Sequence, residues 1–213
     1  MATTGEHHPA FEEYCECIFE LREDHIDVIR ARVADRLGVS RPSVSEMIKR
    51  METEGLIVVR DAKISLTSDG DVLAERIVRR HRIAERFLTD VLGLSWATAH
   101  HEAGKWEHIM NQEVESAMNR VLHNPTTCPH GNPIPGSSYQ EERLSPLCDV
   151  VEGKSFTINR IPEELEFAPG ILEILEQANL KPGHSGTIVT SNKDGSRVVR
   201  IVNNDVALDE FTS

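Results

Sequence analysis

His81 and Glu85 stand four residues apart, the spacing that puts two side chains on one face of an α-helix. Further along, His100, Gly104, Glu107 and His108 fall at i, i+4, i+7 and i+8, a single helical stripe on which three of the four residues carry a metal-binding group. Glu13 and Glu16 share a face of an earlier run, and Cys128-Pro129-His130 brings a thiol and an imidazole together. Imidazole combined with carboxylate suits Fe2+, Mn2+, Co2+, Ni2+ or Zn2+ and disfavours Ca2+ or a thiolate-only centre. Taken singly, a lone His or a Glu pair is usually a solvated surface feature; their coincidence points to a divalent transition metal. His101-Glu102-Ala103-Gly104-Lys105 opens like a HExxH hydrolase helix, but Lys105 stands where the second His is required. No GxSxG, P-loop or dinucleotide fingerprint occurs either, so an enzyme is not expected.

Amphipathic helices must position these groups. In 11–22, Phe11, Tyr14, Ile18 and Leu21 recur at steps of three and four. A helix over 27–37 ends at Gly38, and the turn Gly38-Val39-Ser40-Arg41 leads to Pro42, a good early helical residue with Ser40 or Arg41 as cap. Val44, Met47, Ile48 and Met51 form the apolar face of the next helix. Two short β-type runs, Leu56 to Val59 and Ile64 to Leu66, then make a hairpin. Thr67 or Ser68 caps a long helix to Gly93, and another is expected from Ser95 to Leu122. Residues 124–138 hold four prolines and two glycines and read as a linker. Beyond it, strands at 155–158, 185–190 and 197–202 with a helical run at 169–178 predict a small, mostly β module.

A net charge of −12 over 213 residues argues at first sight against a nucleic-acid partner. From Arg22 to Lys63, however, nine Lys/Arg face eight Asp/Glu, a local +1, and the remainder of the chain carries −13. A short-turn helix pair followed by a hairpin is the pattern of a winged helix-turn-helix, whose second helix enters the major groove. Ser40, Pro42, Ser43, Ser45, Glu46 and Lys49 lie off its apolar stripe, and Arg30, Arg41 and Arg50 supply charge. No apolar run is long enough to span a membrane, and residues 1–12 lack a signal peptide's pattern, so a cytoplasmic protein with no membrane partner is expected. The four cysteines, at 15, 17, 128 and 148, make no CxxC pair and are too sparse for a disulfide scaffold.

Five segments carry a family resemblance: EEYCECIFEL, RARVADRLGVSRPSVSEMIKRMETEGL, RRHRIAERFLTDVLGL, HHEAGKWEHIM and HGNPIPG. Through them the sequence resembles the diphtheria-toxin-repressor family of iron- and manganese-dependent regulators over nearly its whole length. The resemblance implies a mainly α fold with a small β part: a winged helix-turn-helix (1–72), a helical metal-binding and dimerisation domain (73–140) and an SH3-like or ferrous-transport-A-like β domain (141–213). His81, Glu85 and His100 match the family's ancillary site, with Glu163 and Glu164 as third-domain candidates. Glu13, Glu107 and His108 match its regulatory site. Glu16 falls where manganese sensors place a second carboxylate, whereas Gly104 stands where iron sensors carry Cys and manganese sensors Glu. Cys128 and His130, with Glu85, resemble an additional site of streptococcal manganese regulators. Ser40, Pro42, Ser43 and Glu46 match DNA-facing positions.

The expected function is a homodimeric repressor that binds palindromic operator DNA, with Fe2+ or Mn2+ as co-repressor for metal-homeostasis genes. One rival is a winged-helix regulator sensing thiol oxidation at Cys15, Cys17 or Cys128. Another is a metal-binding hydrolase or buffer protein that binds no DNA.

Overall fold

The computed structural model describes residues 9–140 and 142–212. Most of the stretch read above for a signal peptide, residues 1–8, lies outside them. Helix α1 (Pro9–Glu23) buries the expected Phe11, Tyr14, Ile18 and Leu21. α2 (Arg30–Leu37) stops at Gly38, whose φ of 63° is the left-handed conformation a helix C-terminus uses. α3 (Arg41–Thr53) is capped by the Ser40 hydroxyl, which accepts from the Ser43 N–H at 3.3 Å, and it buries Val44, Ile48 and Met51. Strands β1 (Ile57–Arg60) and β2 (Lys63–Leu66) pair Ile57 with Leu66 and Arg60 with Lys63. Between them Asp61 and Ala62 take φ of 50° and 65°, the twist a two-residue hairpin needs.

α4 (Ser68–Arg86) is capped by Thr67, whose hydroxyl accepts from the Gly70 N–H and donates to the Gly55 carbonyl. Gly70 sits against the backbone after α3: a Cβ there would lie 2.0 Å from the Leu56 carbonyl oxygen. Gly70→Ala is therefore expected to destabilise the fold by about 1–3 kcal/mol through forced backbone movement. An unchanged urea midpoint for that variant would contradict this close approach.

The helix expected to reach Gly93 leaves α geometry after Arg86 in a wide π-helical turn, Phe87–Val91, closed by the Leu92 N–H on the Phe87 carbonyl. The single helix expected over 95–122 is instead two, α5 (Trp96–Trp106) and α6 (Gln112–Val121). Asn111 accounts for the break, because its side chain accepts from the Val114 N–H at 2.9 Å and starts a new helix. Met110 turns inward beside Ala84, Leu88, Ala99 and Ala103.

The C-terminal part is a four-stranded antiparallel meander, β3 (Ser155–Thr157), β4 (Ser185–Ser191), β5 (Arg197–Ile201) and β6 (Asn204–Leu208), with α7 (Glu163–Glu166) and α8 (Ile171–Gln177). β6 and α7 were not anticipated: β6 opens on Asn204 and Asp205, residue types depleted in strands, and α7 is a single four-residue turn. Leu172, Leu175, Ile188, Val199 and Leu208 form its core, which also takes in Trp96 from α5. Position 72, the first expected boundary, falls inside α4, whose Leu73 and Ala74 belong to the N-terminal core and whose Ala84 and Leu88 belong to the middle one. One continuous helical run, α4 and the π turn after it, thus serves two cores, and α5 is rooted in the third.

Candidate metal centre

His81 projects from α4 with both ring nitrogens occupied. Nε2 lies 3.3 Å from Glu85 Oε1 one helical turn on, and 3.3 Å from His100 Nδ1 on α5. His100 Nδ1 is in turn 2.9 Å from Glu85 Oε1. On the other ring edge, His81 Nδ1 is 2.5 Å from Glu107 Oε2 at the end of α5 and 3.9 Å from Glu16 Oε1 on α1. A third group forms where the linker folds back, with His130 Nδ1 3.6 Å from Glu85 Oε1 and the Cys128 thiol alongside. Three sets of donor atoms are thus close enough to share an ion: a proximal triad Glu16–His81–Glu107, a central triad His81–Glu85–His100 and a distal triad Glu85–Cys128–His130.

The donor chemistry fits a borderline-hard divalent cation. Glu16 Oε1 and His130 Nε2 are buried polar atoms without a hydrogen-bond partner. Such atoms cost free energy unless something satisfies them, and clustered lone pairs are what a cation satisfies. The proximal and central triads open into a cleft of about 460 Å³ lined in part by Glu13, Gly104, Arg36 and Phe167. A Cβ on Gly104 would meet nothing within 4 Å, so the position stands against open space.

Several expected residues sit elsewhere than the sequence suggested. Glu163 is spent on Arg82, 2.7 Å away, and Glu164 lies 3.8 Å from Arg36. The C-terminal carboxylate that reaches the cluster is Glu166, at 2.7 Å from His130 Nδ1 and 3.4 Å from His100 Nδ1. Its i, i+3 spacing from Glu163 on one turn was the available signal. His108 pairs with Glu12, at 2.9 Å, rather than with Glu13, and Glu12 also meets Arg76. Glu13 is exposed at the cleft wall, and His108 approaches the proximal triad through Glu107, at 3.2 Å.

Burial works against a charge on His81, but Glu85 and Glu107 outweigh it and hold the imidazole's pKa well above its ordinary value. Glu16 is pushed well up by burial and by Glu107 and Glu20. Burial, with Glu85 and Glu166, also pushes the Cys128 thiol well up. A cation binding through either His81 nitrogen must displace a proton that His81 keeps to higher pH than usual. Metal affinity is therefore expected to fall as pH falls, about tenfold per pH unit for each proton displaced. Calorimetric titration at pH 6 and pH 8, in buffers of different ionisation enthalpy, measures both slope and proton release; a flat profile would contradict the assignment.

In the N-terminal part, Ser40, Arg41, Pro42, Ser43, Glu46, Lys49 and Arg50 are exposed along α3 and its N-cap. Arg50 lies over the Phe11 ring, the half-buried Ser45 donates its hydroxyl to the Arg41 carbonyl, and Arg30 is half-buried at the start of α2.

The chain matches two models of one family. Residues 8–63 match the iron-dependent repressor N-terminal DNA-binding domain, and residues 67–136 the iron-dependent repressor metal-binding and dimerisation domain. It is 36% identical over 200 residues to the iron-dependent repressor IdeR of Mycobacterium tuberculosis, covering 88% of this chain and 87% of that one. It is 47% identical over 198 residues to the diphtheria toxin repressor of Corynebacterium efficiens, covering 88% and 85%. Among solved structures, a manganese-dependent transcriptional repressor in complex with manganese superposes with a TM-score of 0.85 at 26% identity, covering 95% of both chains. T. acidophilum IdeR superposes at 0.76, also with 26% identity, covering 99% and 95%. On sequence, on fold and on the converging histidines and carboxylates, this chain belongs to the iron-dependent repressor family, whose members are iron- or manganese-dependent transcriptional repressors.

Proposed function

We propose that this chain is a cytoplasmic, metal-dependent repressor that binds a palindromic operator as a homodimer, with Fe2+ or Mn2+ as co-repressor for metal-homeostasis genes. The observation that carries the reading is the proximal triad, because its three donors come from three elements: Glu16 from α1, His81 from α4 and Glu107 from the end of α5. α1 packs in the same core as the helix pair and the hairpin, so Glu16 ties the DNA-reading head to the middle helices. A divalent ion held by the triad supplies positive charge where buried carboxylates otherwise repel. Glu16, His81 and Glu107 then keep α1 at one angle to α4 and α5. Head spacing matters because a dimer meets half-sites one helical turn or a multiple apart. The ion acts by favouring the conformer that fits, and DNA must tighten ion binding reciprocally.

The same reading takes residues 1–72 as the head, 73–140 as the metal-binding and dimerisation domain and 141–213 as the β domain. Glu13 and His108 flank the regulatory site, and Glu166 takes the third-domain place first given to Glu163 and Glu164. Ser43, Glu46 and Lys49 face the groove, while Arg30, Ser40, Arg41, Pro42, Ser45 and Arg50 support backbone contact. Dimerisation is supported by α6, which buries none of its own residues, and by the exposed Leu92, Ile109, Val114 and Val121. Among the described residues no helix is long and apolar enough to cross a membrane. Thiol sensing is disfavoured, because Cys15, Cys17 and Cys128 are buried and burial pushes the Cys15 thiol up to about 12.

Anaerobic gel shifts on operator DNA selected from a random pool test the reading. Fe2+ or Mn2+ should raise affinity at least tenfold and a chelator should reverse it. Equal affinity with and without metal would defeat the co-repressor assignment.

A further inference from the structure

Glu46 is the one acidic residue between Arg41 and Arg50, on the helix placed to enter the groove. It stands in the second turn of α3 and, at about 100° per residue, almost diametrically opposite the buried stripe of Val44, Ile48 and Met51. Its side chain is exposed, and among the described residues it makes no hydrogen bond or ion pair, although Lys49 and Arg50 follow three and four positions on. Arg50 is turned over the Phe11 ring instead, 5.4 Å from its centroid. The hydroxyls nearby are engaged within the helix itself: Ser40 Oγ and Ser43 Oγ are 2.8 Å apart in the cap, and Ser45 donates to the Arg41 carbonyl at 3.0 Å. Pro42 has no polar side-chain group. At the centre of the face that meets the groove, the uncommitted group is therefore a carboxylate.

An ionised carboxylate only accepts hydrogen bonds, and most of what DNA offers it is acceptors too. Phosphate oxygens repel it, and so do guanine N7 and O6 and thymine O4 in the major groove. The donors there are the cytosine N4 and adenine N6 amino groups, and adenine sets its N7 acceptor beside N6, against the second carboxylate oxygen. Cytosine has no acceptor on its own edge. We propose that Glu46 reads a cytosine in each operator half-site by accepting from its N4 amino group, and rejects the other bases there because they leave the carboxylate desolvated against an acceptor. The inference rests on the DNA-binding reading above. Glu46 then adds discrimination more than affinity, since its charge lowers binding to every sequence that lacks the donor.

Full-length parent, Glu46→Gln and Glu46→Ala, each with saturating Mn2+, are used in parallel to select sequences from a random duplex pool. The parent is expected to select one C·G pair in each half-site that Glu46→Gln replaces by A·T, because a glutamine amide accepts from adenine N6 and donates to N7. Glu46→Ala should leave that position degenerate and the others unchanged. In fluorescence anisotropy, changing the pair in one half-site should cost the parent about tenfold in affinity and changing both about 100-fold, against less than about threefold for Glu46→Ala. Selected sites that agree at every position for the parent and Glu46→Gln, a change at a pair other than C·G, or undiminished discrimination in Glu46→Ala would overturn the proposal. A parent that selects no sequence from the pool would instead overturn the DNA-binding reading on which it rests.

Discussion

His81→Gln should cost at least about 100-fold in operator affinity at saturating Mn2+ or Fe2+, while leaving metal-free affinity within about threefold. Outer-sphere partners of a bound metal typically change affinity by 10–100-fold when replaced, and His81 is a direct donor in the proximal triad. Gln is the informative replacement because His81 is buried, with Glu16, Glu85 and Glu107 around it. Alanine would leave those carboxylates facing a void, and loss of fold would be confused with loss of response. A glutamine amide still donates to Glu107 but is a poor transition-metal ligand. Fluorescence anisotropy with labelled operator, with and without metal, gives both affinities. Retention of the metal response to within threefold would remove His81 from the regulatory site.

Arg82→Met is expected to destabilise the protein by about 3–5 kcal/mol, the usual cost of removing one partner from a buried ion pair. Its side chain is 1% exposed. It donates to Glu23 at 3.1 and 2.6 Å, to Glu163 at 2.7 Å and to the Pro133 carbonyl at 2.5 Å. Burial alone would raise the Glu163 carboxyl, yet Arg82 holds it below the ordinary range, so without Arg82 a buried carboxylate is stranded. Adding Glu163→Leu to Arg82→Met should restore part of the loss, since replacing a buried pair by apolar groups is often close to neutral. Urea unfolding of both variants measures this; a single-variant loss below about 1 kcal/mol would show that water reaches the pair.

The helices of the N-terminal part were legible because burial at steps of three and four leaves a stripe in the sequence, as Phe11, Tyr14, Ile18 and Leu21 do. The α5–α6 break was not. Trp106 to Val114 keeps helical spacing straight through it, and the deciding event is a local choice by one side chain, Asn111. The metal centre divides in the same way. His81, Glu85, His100 and Glu107 stand out because ligand types recur at helical spacing. Glu166 reaches them only when the β part folds back over α5, a contact no local pattern encodes. Adjacent Glu12 and Glu13 differ by a third of a turn, and packing of α1 on α4 decides which one meets His108.

α7 is a single turn of helix, yet its residues answer to different parts of the chain: Glu163 to Arg82, Glu164 to Arg36 and, through its N–H, to Asp24, and Glu166 to His100, His130 and Asn132. Just beyond it, Phe167 lies under the Arg36 guanidinium. The three parts therefore do not behave as interchangeable modules. A chimera that took its β part from a relative would inherit a foreign set of teeth at this junction, and Arg36, Asp24 and Arg82 would have to be exchanged along with it. In this protein the unit that would have to be transplanted whole is the seam.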